Sequence, residues 1–120
     1  LVRYLAKKYP LTVVTNGFVE VQYEKFEKSG LKDCFAHIVL SEEVGYQKPN
    51  SRIFEEALHM NGLDASEVVM IGDSFSSDIA GANATGMDTI WLAQPDTMTD
   101  EQRHAATYIV TSLQEIKQIL

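Results

Sequence analysis

The chain has 120 residues, 45% of them apolar and 22% charged, which is enough to bury one core and not two. A formal net charge of −7 and a pI of about 4.8 exclude nucleic acid and anionic membrane as expected partners, because both call for a basic surface. No run reaches the roughly 18 apolar residues of a membrane span, and the single Cys34 cannot close an internal disulfide, so a reducing, cytoplasmic setting is expected.

Leu1 to Tyr9 reads as a helix that Pro10 closes. Leu11-Thr12-Val13-Val14 is strand-like and ends in Thr15-Asn16-Gly17. A hydroxyl, an amide and a glycine-supported loop opening a helix make a cradle for a phosphate or oxyanion. The same tripeptide also serves as an ordinary N-cap and turn. In the helix that follows, Val19, Tyr23 and Phe26 repeat at helical spacing, and Gly30 is the expected stop. Cys34 falls in a turn before the strand from His37 to Ser41, where burial is a better reading than nucleophilic chemistry. The loop Gly45 to Asn50 contains Lys48 directly before Pro49, a pairing that disfavours the α region at the lysine. Such a lysine is either aimed into a cleft or left in solvent.

A helix is predicted from about Ser51 to Met60, ended by Asn61-Gly62, with Ile53, Phe54, Ala57 and Leu58 as its core stripe. Val68 to Ile71 reads as a buried parallel strand and runs into Gly72-Asp73-Ser74-Phe75-Ser76-Ser77-Asp78. Two carboxylates five residues apart sit where open α/β sheets place ligands, and they suit a hard cation such as Mg²⁺. The bland alternative is a polar turn in which Asp73 caps a helix. A short helix from Asp78 to Ala84, closed by Gly86, has Gly81 and Ala82 to allow close packing on the sheet. Thr99-Asp100-Glu101-Gln102 and Ser112-Leu113-Gln114-Glu115 both fit a capping box. The first opens a helix through Ala106; the second opens a terminal helix with Ile116, Ile119 and Leu120 facing inward. Ala106 to Val110 is the last strand. His37, His59 and His104 have no spacing that pairs them as ligands and read as structural or solvated. The alternation of elements predicts one domain, a three-layer α/β/α sandwich with a mainly parallel, Rossmann-like sheet.

Three of these signals, in this order, resemble the haloacid dehalogenase-like hydrolase superfamily. Val13 to Gly17 is similar to its second motif. Lys48-Pro49 with Arg52-Ile53-Phe54 is similar to its third. Ile71-Gly72-Asp73 through Asp78-Ile79-Ala80-Gly81-Ala82 is similar to its fourth, and Gly86 to Leu92 to the strand after it. The Thr-Asn-Gly and Lys-Pro versions are most similar to small-metabolite phosphatases, including bacterial nucleoside 5′-monophosphate phosphatases. The resemblance implies a Mg²⁺-dependent phosphohydrolase acting through an aspartyl-phosphate on a small phosphorylated metabolite. It implies that Asp73 ligates Mg²⁺, with Asp78 holding a water on the cation or positioning Lys48. Lys48 would neutralise the nucleophile and the phosphoryl group. Thr15 would donate its hydroxyl to a phosphate oxygen, with the Asn16 and Gly17 amides beside it.

The superfamily's first motif, Asp-x-Asp, occurs nowhere in the 120 residues. Residues 1–120 are therefore expected to be a partial core domain, carrying the second to fourth motifs and lacking the first core strand and the cap. The isolated chain is expected to be inactive. Dehalogenase or phosphomutase chemistry on the same fold, or a non-catalytic binding module, are the alternatives. The family places the missing strand between the strands ending at Thr15 and Gly72. Those two should either pair directly or receive a strand from a second molecule or a retained N-terminal fragment.

Overall fold

The structure, a computed structural model, describes residues 1–17, 19–94, 96 and 98–120, with the side chains of Val19, Glu20, Val21, Tyr23 and Phe26 outside that description. The apolar runs form strands β1 (Thr12–Thr15), β2 (His37–Leu40), β3 (Val69–Gly72), β4 (Asp88–Leu92) and β5 (Tyr108–Val110). Between and around them lie helices α1 (Val2–Ala6), α2 (Val19–Ser29), α3 (Ser41–Val44), α4 (Ser51–Asn61), α5 (Ala80–Thr85), α6 (Asp100–Ala105) and α7 (Ile116–Ile119). All three ladders are parallel: β1 with β2, β3 with β4, and β4 with β5. Parallel neighbours need a crossover, and α2, α5 and α6 provide it. This is the expected α/β architecture.

Successive strand residues face opposite layers. Val14 and Met70 pack with Val39, Ile53, Phe54, Ala57, Ala82 and Met87, the core under α4 and α5. Leu11, Val69 and Ile71 pack with Leu5, Ile90, Val110 and Ile116, the core under α1 and α7. Phe54 is fully buried. Gly81 lets α5 meet α4 here, since a Cβ would lie 2.9 Å from Phe54 Cζ and 3.1 Å from Pro49 Cα. A larger residue would push the two helices apart.

The strands do not form one sheet. β1 pairs with β2, and β3–β4–β5 form a separate sheet. The direct β1–β3 pairing offered as one alternative does not occur. Core side chains from β1 and β3 meet in shared clusters, and helices already packed on both faces hold the two sheets where they are. In consequence β3, read as a buried strand, is half-buried along its whole length, as is β1, whereas Thr89, Ile90 and Trp91 of β4 are buried. A strand with a ladder on one edge alone leaves its other edge open.

Several boundaries also differ. Ser41 opens the single turn of α3 instead of ending β2, because its backbone oxygen accepts from Gly45 N–H at 2.9 Å. The Asp78–Ala84 helix begins earlier, as a π-helical turn over Phe75–Ile79 that continues into α5. Thr99 and Gln102 form the expected capping box. Ser112 makes no side-chain cap; Thr111 binds Glu115 Oε1 through its hydroxyl at 2.6 Å instead. Ile116 is buried as expected, with Ile119 and Leu120 half-buried beside it. α2 forms and ends at Gly30, while its stripe of Val19, Tyr23 and Phe26 lies outside the described side chains. Cys34 is half-buried in a turn, and His59 and His104 are exposed on their helices. Among the described residues no helix is long and apolar enough to cross a membrane.

Phe54→Ala is expected to destabilise the fold by about 3–5 kcal/mol in urea denaturation, as removal of a fully buried aromatic does. Tyr108→Ala, at an exposed ring, should cost under about 1 kcal/mol. Equal losses at the two positions would contradict this placement of the core.

Candidate active site

The polar residues singled out in the sequence gather at the carboxyl ends of β1 and β3. Thr15 is the last residue of β1 and Gly72 the last of β3, so Asn16 and Asp73 each follow directly on a strand end. Lys48 arrives from the loop between α3 and α4, through a cis Lys48–Pro49 peptide. Its ammonium donates to Asp78 Oδ1 at 2.6 Å. The two side chains are 14% and 7% exposed, which makes this a largely buried ion pair rather than a surface one. Lys48 is therefore directed inward, and the solvated alternative does not apply.

The turn after β3 holds Asp78 in place. Asp78 lies on the π-helical turn, and its Oδ2 accepts from Ser74 N–H at 3.3 Å. Ser74 caps that turn, accepting from Ser77 N–H at 3.3 Å and from the Ser77 hydroxyl at 2.6 Å. Gly72 is needed beneath it: a Cβ there would sit 2.6 Å from Asp78 Cγ. Both Asp78 oxygens are engaged, one by the Lys48 ammonium and one by the Ser74 N–H. Asp73 differs. It is exposed, and its carboxylate has no hydrogen bond or ion pair among the described residues. Its oxygens suit a hard cation. Among the described residues no group of three His, Cys, Asp or Glu side chains converges.

On the β1 side, Gly17 N–H donates to Thr15 Oγ1 at 3.2 Å, closing a tight turn of the chain on itself. The Gly17 amide is thus spent inside the turn, and the Thr15 hydroxyl donates to no acceptor among the described residues. Asn16 turns its side chain to Lys48: its amide donates to the Lys48 carbonyl at 3.3 Å, and its oxygen accepts from Lys48 N–H at 2.8 Å. Loops 32 residues apart are joined there.

Two supports escaped the sequence reading. Trp91 on β4, read only as part of a strand, donates its indole N–H to the Asp73 carbonyl at 3.1 Å. Phe75 packs against the same ring in a tilted arrangement, with centroids 5.0 Å apart and planes inclined at 55°. A buried tryptophan needs a partner for its N–H, and that general requirement was the available signal. The side-chain use of Asn16 had no such signal, because Lys48 is remote in sequence.

Replacing one member of the buried pair should cost more than replacing both. Lys48→Met and Asp78→Leu are each expected to lose about 3 kcal/mol in chemical denaturation, since each strands a desolvated charge. The double variant should recover most of that loss. A double variant as unstable as the sum of the singles would show that the pair is not coupled.

Residues 1–92 match the family described as haloacid dehalogenase-like hydrolase. The chain is 42% identical over 114 residues to the pyrimidine 5′-nucleotidase YjjG of Escherichia coli, covering 90% of this chain and 48% of that protein. It is 36% identical over 125 residues to a glyceraldehyde 3-phosphate phosphatase of Methanothermobacter thermautotrophicus, covering 100% of this chain and 55% of that one. Its fold superposes on the magnesium-bound crystal structure of the HAD-hydrolase YfnB from Bacillus subtilis with a TM-score of 0.87 and 33% identity, over 99% of this chain and 51% of that one. The chain spans about half the length of the curated relatives it matches. By sequence and by fold, the chain belongs to the haloacid dehalogenase-like hydrolase family.

Proposed function

We propose that the protein carrying this chain is a Mg²⁺-dependent phosphohydrolase of small phosphate monoesters, with a nucleoside monophosphate as the leading substrate. The observation that supports it best is the buried Lys48–Asp78 pair, which joins two distant segments of the chain at the carboxyl ends of β1 and β3. A cation fixed there suits a transferring phosphoryl group. The resemblance to a pyrimidine 5′-nucleotidase and a sugar-phosphate phosphatase supports the substrate class.

Each residue has a distinct task in this reading. Thr15 donates its hydroxyl to a phosphate oxygen. Lys48 neutralises charge on the phosphate and on the attacking carboxylate. Asp78 keeps the ammonium at one position, so no reorganisation is needed during reaction. Asp73 would hold Mg²⁺, which when bound supplies charge neutralisation for the phosphate and its attacker. The attacking Asp, which would form an aspartyl-phosphate, has no counterpart among these 120 residues and must come from outside them. The open edges of β1 and β3 are where a strand carrying it would add, from a second molecule or a separate fragment. The setting proposed is cytoplasmic.

The isolated 120-residue chain should not hydrolyse p-nitrophenyl phosphate. In the complete protein, Asp73→Asn and Lys48→Ala should each lower the rate by on the order of 10²-fold or more, as loss of a preorganised electrostatic group does. Turnover by the repurified isolated chain, abolished by Asp73→Asn, would overturn the assignment of the nucleophile. Halide release from a 2-haloacid without phosphate-ester cleavage would replace the phosphatase reading with a dehalogenase.

Size-exclusion chromatography with intact-mass measurement tests the open edges. The isolated chain is expected to elute as a dimer or larger, or with a bound fragment. A stable, well-folded monomer across micromolar concentrations would contradict strand addition.

A further inference from the structure

We infer that Asn16 is a positioning residue for Lys48 rather than a substrate contact. This rests on the catalytic role proposed for Lys48. The Asn16 carboxamide meets the Lys48 backbone with both of its groups, donating to the carbonyl at 3.3 Å and accepting from the N–H at 2.8 Å. A carboxamide has the donor and acceptor of a peptide group, so it mimics one rung of a ladder between the two loops. An aspartate could accept from the Lys48 N–H but could not donate to its carbonyl.

The location gives this rung its consequence. β1 and β3 are not paired with each other. A run of side-chain contacts joins the Thr15 end to the Asp78 turn: Asn16 to the Lys48 backbone, the Lys48 ammonium to Asp78, and Asp78 to Ser74 N–H. Asn16 is the first link and sits next to Thr15 in the chain. Without it, the Lys48 loop loses its registration against the Thr15 turn, and the ammonium loses its place relative to the hydroxyl. Displacement of about 1 Å at a reacting centre costs on the order of 10²-fold in rate. Loss of a contact that served only to bind substrate would raise KM and leave kcat unchanged.

The test is a double-mutant cycle in the complete protein, with p-nitrophenyl phosphate as the probe. Asn16→Ala should lower kcat by about 10- to 100-fold with KM changed less than about threefold. Asn16→Asp should fall between wild type and Asn16→Ala, since it keeps one of the two bonds. Thermal melts confirm that each variant is folded. In the Lys48→Ala background, Asn16→Ala should add less than about twofold, because the group it positions is already gone. Multiplicative losses in the double variant, or an effect confined to KM, would overturn the inference while leaving the Lys48 role intact. Near-full activity in Lys48→Ala would overturn that role and the inference together.

Discussion

The Lys48–Asp78 ion pair is the interaction on which the arrangement of this molecule turns. Lys48 lies in the connection between the second strand and α4, and Asp78 in the turn that leaves β3. A largely buried ammonium is costly unless an anion meets it. Here one carboxylate oxygen does so at 2.6 Å, and the other oxygen is occupied by a backbone N–H. The pair therefore fixes two segments that come from different sheets. The close approach of Asp78 to Gly72 belongs to the same constraint, since no side chain could stand at that strand end without displacing the carboxylate.

The sheets themselves show what the pair has to compensate. A continuous parallel sheet would carry its own backbone ladder from β1 to β3. In this chain the ladder is interrupted, and packing replaces it. Val14 and Met70 share one apolar cluster, and Leu11 shares another with Val69 and Ile71. Hydrophobic packing is not directional. It can hold two sheets together without fixing their relative rotation. The polar links at the strand ends supply direction: an ion pair, an asparagine bridging two loops, and a serine cap.

The two carboxylates of the Gly72–Asp78 turn have been given different work by their surroundings. Asp78 is buried and fully engaged, and its charge is committed to Lys48. Asp73 stays exposed, with its main-chain oxygen anchored by the Trp91 indole and its carboxylate without a hydrogen bond or ion pair among the described residues. The π-helical turn produces this split, because it carries Asp78 back over Gly72 while Asp73 remains at the strand end. π-turns inside helices are often found at functional sites for this kind of local re-aiming.

Much of this was legible in the sequence, for reasons that are local. Strand and helix order follows from periodicity, the Thr99 cap from its capping box, and the helix ends at Gly30, Gly62 and Gly86 from the residues that stop them. The motif spacing placed Thr15, Lys48, Asp73 and Asp78 at strand ends and loops before any coordinates. What depended on tertiary structure was who meets whom. Whether Lys48 faced water or a carboxylate, which acid it met, and that Asn16 would spend its side chain on a peptide 32 residues away were decided by three-dimensional packing. So was the half-burial of β1 and β3, because a strand's exposure depends on the neighbour at each edge and not on its own residues. Sequence specifies the chemistry a position can offer; only the fold sets the distance at which that chemistry is met.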